Sequence, residues 1–524
     1  MARGTTDLAQ FFSNGEVLTS SELIQRLTTK GYTDENARQV IRRHAAGDGL
    51  WRSTALKLSR NERLFARAAT VNRHDFLETV AHKLEHANRH GIARCLAVLG
   101  HRRVLNKVDV MRLLAVAPAN MLPSRGATTR AYETDLAGIR EIGVEVRRAG
   151  TALESLVITA DGAEDLDWQI EAAAQSLRKE LVLARVLIDR LRQQNILAWN
   201  QVEVPEPTTP FTVFNDQIFT ASGFSYLSPI VRWKQGTGKP TPCPVVIDCY
   251  HQRCTVEQVD SFVQRIERAG NRGKVRQQVL GIIGAPEFDR DAWNRARSQG
   301  LAVVSFRQAF GDEALEVMTK VEGLIHEIGT DPGGTSSQDR VIKLSQMLDD
   351  VKTNPIVAVL RAIGFEVLCG LILRSRGYEQ VELGRIVPWG QTTREVDVFG
   401  LRGSILRIIE CKACHGEKSV SPEEVRKFFT QTVPATKKWL RSQGREFTKC
   451  TAEIWTTGRK GKRAGDALYE LNSPRTDRWR IRRIEEIRKV VPQAIRRRSL
   501  ELLNSIATAE IDGSPPDEDD RDLA

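Results

Sequence analysis

Asp397, Glu410 and Lys412 fall where two adjacent strands would bring them together. Glu395-Val396-Asp397-Val398-Phe399-Gly400-Leu401 and Ile405-Leu406-Arg407-Ile408-Ile409-Glu410-Cys411-Lys412 are β-branched and apolar, and Arg402-Gly403-Ser404 between them reads as a turn. A β-hairpin is predicted. Side chains alternate faces along a strand, so Glu410 and Lys412 share one face, Ile409 and Cys411 the other, and Asp397 lies opposite on the first strand. Two neighbouring carboxylates repel unless they share a cation, and hard oxygen ligands suit Mg2+ or Mn2+. A lysine beside them can position a water or stabilise charge on a phosphate.

Flanking elements must hold this hairpin. Gly364-Phe365-Glu366-Val367-Leu368 opens an apolar segment that ends at Gly377-Tyr378, ahead of the hairpin, and an amphipathic segment from Ser421 to Thr430 follows it. On Asp397, Glu410-Cys411-Lys412 and Glu366, the chain resembles the PD-(D/E)XK superfamily of restriction-endonuclease-like nucleases, and within it the Mrr-type restriction enzymes. Val396, not proline, precedes Asp397, a position that carries no ligand. The resemblance covers roughly residues 340 to 470.

The resemblance implies that Asp397 and Glu410 bind the metal and that Lys412 orients the attacking water and stabilises developing charge. It also implies that Glu366 assists through a metal-bound water and that Gln431 helps orient the site. The expected function is metal-dependent DNA endonuclease activity in restriction or anti-phage defence. A non-catalytic DNA-binding or regulatory protein built on nuclease-like scaffolds is the alternative, as is a nuclease acting on RNA or branched DNA.

A chain of 524 residues is too long for one core, and about 150 residues per domain suggests three or four. The net charge of +11 includes an acidic end, Asp517-Glu518-Asp519-Asp520, so the remainder is more basic still and favours a polyanion partner. No run of eighteen apolar residues occurs, and the first residues lead into no apolar stretch of signal length. A cytoplasmic protein with no membrane association is expected. Eight cysteines in such a chain read as small buried hydrophobes rather than a disulfide framework. Cys411-Lys412-Ala413-Cys414-His415 spells a haem-attachment string, but attachment needs export and Cys411 faces inward on its strand, so neither haem nor zinc is predicted. His82-Lys83-Leu84-Glu85-His86, with His90 beyond, matches a zinc-peptidase string without its catalytic context and reads as a polar helix face.

In chain order, residues 1–66 read as a winged-helix domain. Leu18-Thr19-Ser20-Ser21-Glu22 is a capping box, and a second helix from Thr33 carries Arg38, Arg42 and Arg43 on its polar face, suited to DNA phosphates or bases. Leu50-Trp51-Arg52 and Leu56-Lys57-Leu58 would form the wing. The pattern recurs in 67–162 as a second winged-helix-like domain: a long helix from Asp75 to Leu99, helices over 106–117 and 128–142, and strands at 143–146 and 156–158. Residues 163–197 form a helical spacer or a dimerisation helix.

Residues 198–328 repeat the nuclease outline. Pro244-Val245-Val246-Ile247-Asp248-Cys249-Tyr250 parallels the Glu410 strand, and Glu257 to Phe262 parallels Glu423 to Phe428. Tyr250 takes the lysine position and offers no cation, which makes this a degenerate nuclease-like α/β domain. A linker (329–339), the nuclease domain (340–490) and a C-terminal helix with a disordered acidic tail (491–524) complete an α/β multidomain chain. A basic loop with Arg459, Lys460, Lys462 and Arg463 is a further DNA-binding candidate, as is the arginine-rich stretch around Trp479. The partners expected are double-stranded DNA, a second copy of the chain, and a protein of a defence system.

Overall fold

A computed structural model describes residues 8–507 apart from 45–48, 57, 59–61, 72, 116–127, 149–153, 159–165, 199–200, 206–210, 228–230, 234–239, 272–276, 331–335, 352–353, 355–356, 390–391, 414–418, 459–461 and 473–477. The expected basic residues Arg459 and Lys460, the acidic tail, residues 331–335 of the linker, and Cys414 and His415 lie outside the described residues. The chain is mixed α/β and forms two compact units: residues 1–184 with 195–304, and residues 185–194 with 305–524. Among the described residues no helix is long and apolar enough to cross a membrane.

The first unit opens with β1 (Val17–Thr19), α1 (Ser20–Thr29), α2 (Asp34–His44), β2 (Leu50–Arg52) and β3 (Leu64–Arg67). The strands form an antiparallel sheet in the order β1-β3-β2. The capping box holds: the Thr19 hydroxyl accepts from Glu22 N–H (3.2 Å), and Glu22 Oε2 accepts from Thr19 N–H (2.7 Å). The expected strand at Leu56 to Leu58 is not one. Glu141 takes the backbone N–H groups of Thr54, Ala55 and Leu56, the Leu58 N–H closes locally onto the Glu62 carbonyl (3.0 Å), and β3 pairs with β2 in its place.

The expected helix from Asp75 to Leu99 is broken into α3 (His74–His86) and α4 (His90–Arg102). Asn88 turns left-handed at φ 60° and Arg89 N–H closes onto the Leu84 carbonyl at 2.8 Å. Asparagine tolerates that conformation, and without glycine or proline the break leaves little trace in the sequence. Then β4 (Val104–Asn106), α5 (Lys107–Leu114), α6 (Thr128–Glu141), β5 (Val144–Arg148) and β6 (Glu154–Ile158) repeat the opening order, again with the last strand in the middle of the sheet, β4-β6-β5.

After the long helix α7 (Leu166–Gln193) come β7 (Val202–Glu203), the hairpin β8 (Thr212–Phe214) and β9 (Gln217–Phe219), β10 (Ala221–Ser225), and the short pair β11 (Arg232–Trp233) and β12 (Pro240–Thr241). They are followed by β13 (Cys243–Cys249), α8 (Val256–Gly270), β14 (Leu280–Ala285), α9 (Arg290–Ser298) and β15 (Ala302–Ser305). The five-stranded sheet runs β7-β10-β13-β14-β15, antiparallel as far as β13 and parallel from β13 to β14.

The second unit contains α10 (Phe306–Phe310), α11 (Asp312–Thr330), α12 (Ser337–Asp350) and α13 (Val357–Ser375). Ser336, placed in the linker by composition, instead caps α12 by accepting from Asp339 N–H (3.2 Å). Phe365, Val367, Leu368, Cys369, Leu371, Ile372 and Leu373 are all buried, so α13 is apolar around much of its circumference and lies inside the unit. Next come β16 (Gln380–Trp389), β17 (Thr392–Arg402), β18 (Ile405–Lys412), α14 (Pro422–Lys427), one π-helical turn (Phe428–Thr432), α15 (Val433–Ser442), β19 (Lys449–Thr456), α16 (Lys462–Asn472), β20 (Arg478–Arg483), α17 (Ile484–Val490) and α18 (Arg496–Ala507). The sheet runs β16-β17-β18-β19-β20, antiparallel through β18 and parallel beyond.

The predicted hairpin is β17–β18. Arg402 pairs with Ile405, and Gly403 takes the turn at φ 53°. Apolar side chains of β17, β18 and β19, including Phe399, Leu406, Ile408 and Ile454, pack against Val425, Phe428, Phe429 and Val433. Each such burial contributes roughly 1.5–3 kcal/mol.

Gly400 on β17 leaves no room for a side chain: a Cβ there would come within 2.9 Å of Tyr378 Cδ1 and 3.0 Å of Leu373 Cδ1. Gly400→Ala should therefore destabilise by about 1–3 kcal/mol in urea unfolding. Gly323→Ala, on an exposed and open face of α11, should stabilise by up to about 1 kcal/mol.

Candidate active site

The hairpin register sets the geometry. Val398 pairs with Ile409, so the next step places Asp397 opposite Glu410 on the face shared with Lys412. Asp397 Oδ2 accepts from Cys411 N–H at 2.6 Å, which fixes the carboxylate at the end of the hairpin. Lys412 Nζ lies 3.1 Å from Glu410 Oε1 and 3.4 Å from Glu424 Oε1. The Lys412 and Glu410 side chains remain 27% and 18% exposed, so the site opens to solvent.

Charge in this site is lopsided. Burial pushes the Asp397 carboxyl well above its usual range, and the charges of Glu410, Glu366 and Glu395 push it further against the smaller pull of Lys412. Burial alone would lower the Lys412 ammonium, but Glu410, Asp397 and Glu424 hold it well above its usual value. Lys412 is thus a fixed cation, suited to stabilising anionic charge and unsuited to taking a proton. Glu424 is lowered despite its burial, because Lys412 and the Ser421 N–H favour its charged form.

Asp397, Glu410 and Lys412 are therefore brought together, and Glu366, on α13, is near enough to act electrostatically on Asp397. Gln431 Oε1 accepts from Arg394 Nε (3.0 Å) and Nη2 (2.6 Å), tying the π-helical turn to β17, the strand that carries Asp397. Glu424 was not foreseen. Its place as the third residue of the Ser421 capping box accounts for it locally, which hides its second contact with Lys412. Elsewhere, Arg38, Arg42 and Arg43 lie on α2 with exposed side chains, Arg38 pairing with Asp34 at 2.9 Å. Lys462 and Arg463 open α16 and are exposed. His82 and His86 lie with ring centres 4.3 Å apart, tilted by 58°, on the exposed face of α3.

Among the described residues no three His, Cys, Asp or Glu side chains stand as a preformed ligand set. The donor chemistry still fits a hard divalent ion, because Asp397 and Glu410 are neighbouring carboxylate oxygen donors that share one lysine. Magnesium commonly takes one or two carboxylates and completes its shell with water and phosphate oxygens.

The middle module makes the contrast. Its sheet has the same strand order, with the same directions for the pairs β7/β10, β10/β13 and β13/β14 as for β16/β17, β17/β18 and β18/β19. Ala221 pairs with Ile247, so Thr220 stands to Asp248 as Asp397 stands to Glu410. Thr220 Oγ1 accepts from Cys249 N–H (3.0 Å), matching the bond from Cys411 to Asp397.

In this module the buried carboxylates of Asp248 and Glu180 are each met by an arginine. Asp248 accepts from Arg265 Nη2 (2.6 Å) and from the Tyr250 hydroxyl (3.0 Å). Arg112 Nη1 reaches Glu180 of α7 (2.8 Å), and Arg112 Nη2 reaches Thr220 (2.9 Å). Burial pushes Glu180 up, but Arg112 and His251 bring it below its usual value, opposite in direction to Asp397.

No protein-family model matches the chain, and no curated protein matches it. Among solved structures, a crystal structure of protein VC1899 from Vibrio cholerae is similar at 11% identity, covering 48% of this chain and 82% of that one, with a TM-score of 0.18. Superposition that loose transfers neither fold nor function.

The raised Asp397 fixes the sign of a pH effect. The native state holds that proton more tightly than the unfolded chain, so metal-free stability falls as pH rises from about 4 through the raised native value. Asp397→Asn removes this penalty. In EDTA its thermal midpoint at pH 7 should exceed that of the unsubstituted chain, with a flatter dependence between pH 4.5 and 8, and an equal or lower midpoint would contradict the electrostatics.

Proposed function

We propose that the chain is a divalent-metal-dependent DNA endonuclease that hydrolyses phosphodiester bonds, working in restriction or anti-phage defence. The observation that carries this reading is the grouping of Asp397 and Glu410 on one face of a β-hairpin with Lys412 Nζ 3.1 Å from Glu410, in a partly open site. Asp397 and Glu410 would hold Mg2+ or Mn2+, with Glu366 behind them. The bound ion supplies Lewis-acid polarisation of a phosphate oxygen and a water of lowered pKa. Lys412 faces the same space and stabilises negative charge developing on the phosphate. Glu424 is a second carboxylate on the Lys412 ammonium, and the Ser421 cap in turn fixes Glu424.

The strand–helix–helix–strand–strand order of residues 17–67, repeated over 104–158, supports reading both as winged helices. The exposed Arg38, Arg42 and Arg43 of α2 suit duplex phosphates or base edges. The arginine-filled middle module is read as a degenerate copy of the nuclease module, retained as a scaffold. Cutting both strands of a duplex calls for two such sites, hence two chains, and a defence-system protein as partner would fit that role.

Supercoiled plasmid incubated with the full chain and Mg2+ should be nicked or linearised, and EDTA should stop the reaction. Lys412→Ala should lower the rate at least a hundredfold. Equal cutting by both proteins would contradict the role given to Lys412, and no cutting of modified, unmodified and phage DNA alike would favour the non-catalytic alternative. In the same assay Glu424→Gln should lower the rate about tenfold and narrow the pH range of activity, since Lys412 keeps Glu410 but loses its second anchor.

A further inference from the structure

The second unit holds a cluster of positive charge on the other face of the catalytic sheet. Strand alternation puts Arg407 with Ile409 and Cys411, facing away from Glu410 and Lys412. Its guanidinium lies 5.8 Å from the centre of the Tyr378 ring, with Arg402 over the same ring at 5.4 Å. Arg402 Nη1 donates to the Arg376 carbonyl (3.0 Å), so Arg376, just beyond the end of α13, belongs to the same group. Ile409 pairs with Glu453, which is fully buried. Arg482 donates to Glu453 Oε1 (2.9 Å) and the Trp455 indole donates to Oε2 (2.9 Å).

Both oxygens of that carboxylate are thus engaged, yet Arg407 Nε and Nη1, Arg376 Nη1 and Arg482 Nε are buried without a partner. Burial lowers the Arg376 guanidinium, and the charges of Arg407 and Arg482 lower it further while Glu453 offsets only part. A guanidinium does not surrender its proton in a protein, so the cluster stays cationic. Three arginines against one carboxylate leave a surplus of two positive charges. A phosphate monoester, with a charge of about −1.5 to −2 at neutral pH and several acceptor oxygens, matches that surplus and the forked geometry of arginine. Arg376 and Arg407 are only half-buried, so an anion can approach.

We propose that Arg376, Arg407 and Arg482 form a phosphate-monoester site on the α13 face of the sheet, separate from the nuclease centre. Arg407 precedes Lys412 by five residues, about 17 Å along the strand and on the opposite face, so the phosphate held here is not the scissile one. The ligand is a free nucleotide or the terminal phosphate of a nucleic acid strand. The site stands on its own residues and does not depend on the nuclease reading.

Calorimetric titration of the full chain in EDTA at fixed ionic strength tests it. The ligands are inorganic phosphate, a nucleoside 5′-monophosphate, and one oligonucleotide with and without its 5′-phosphate. Inorganic phosphate should bind. Arg376→Gln and Arg407→Gln should each weaken it at least tenfold, while Asp397→Asn and Lys412→Ala leave it unchanged. Where a glutamine variant does not fold, Arg407→Lys, which keeps the charge and loses the fork, should still weaken binding severalfold. Preference for the nucleotide, or for the phosphorylated oligonucleotide over its hydroxyl form, identifies the source. No binding of any phosphate, or binding indifferent to these arginine substitutions, overturns the proposal.

Discussion

A carboxylate removed from water must find positive charge, and much of this molecule follows from how its two five-stranded sheets meet that demand. At the same register point of both sheets, an acidic residue near the end of the third strand faces a residue of the second, whose oxygen receives the next backbone N–H. In the middle module the side chains supply the counter-charge. Arg265 and Asp248 are fully buried together, and Arg112 reaches in from α5 to close over Glu180 and Thr220. In the last module the second position is Asp397 instead of Thr220, and the first is answered by Lys412 alone, which Glu424 shares.

That difference gives the two centres opposite electrostatic character. A buried arginine–carboxylate network is rigid and self-sufficient, and loss of one member leaves a charge stranded at a cost of about 3–5 kcal/mol. Excess carboxylate charge in a half-open site has the opposite character. It is a standing cost to the fold that a bound cation removes, and groups strained this way concentrate where chemistry is done. The middle sheet also explains the role of α5, which carries Arg112 and, through the carbonyl of the same residue, accepts the Ser261 hydroxyl of α8. The wing-like repeat and the middle module are thereby fastened into one unit.

Much of this was legible in the residues. The hairpin, its turn at Gly403, Glu366 on a preceding helix and the likeness of the Asp248 strand to the Glu410 strand all follow from local pattern, because strand alternation and turn chemistry act over a few residues. The failures came where a distant residue decides. Glu141 takes the N–H groups of residues 54–56 from more than eighty positions away, and Asn88 breaks a helix whose apolar periodicity runs on. Arg112 lies 68 residues from Glu180 and 108 from Thr220, so no spacing rule exposes it. The bond from Arg394 to Gln431, 37 residues apart, likewise has no local signal.

The central claim is that one of two matching sites keeps its place for a cation while the other has filled it with arginine. Counting bound Mn2+ on the full chain by electron paramagnetic resonance tests this directly. The account predicts one tightly held ion per chain, lost in Glu410→Gln and kept in Asp248→Asn. Two ions, none, or one that disappears with Asp248 would contradict it.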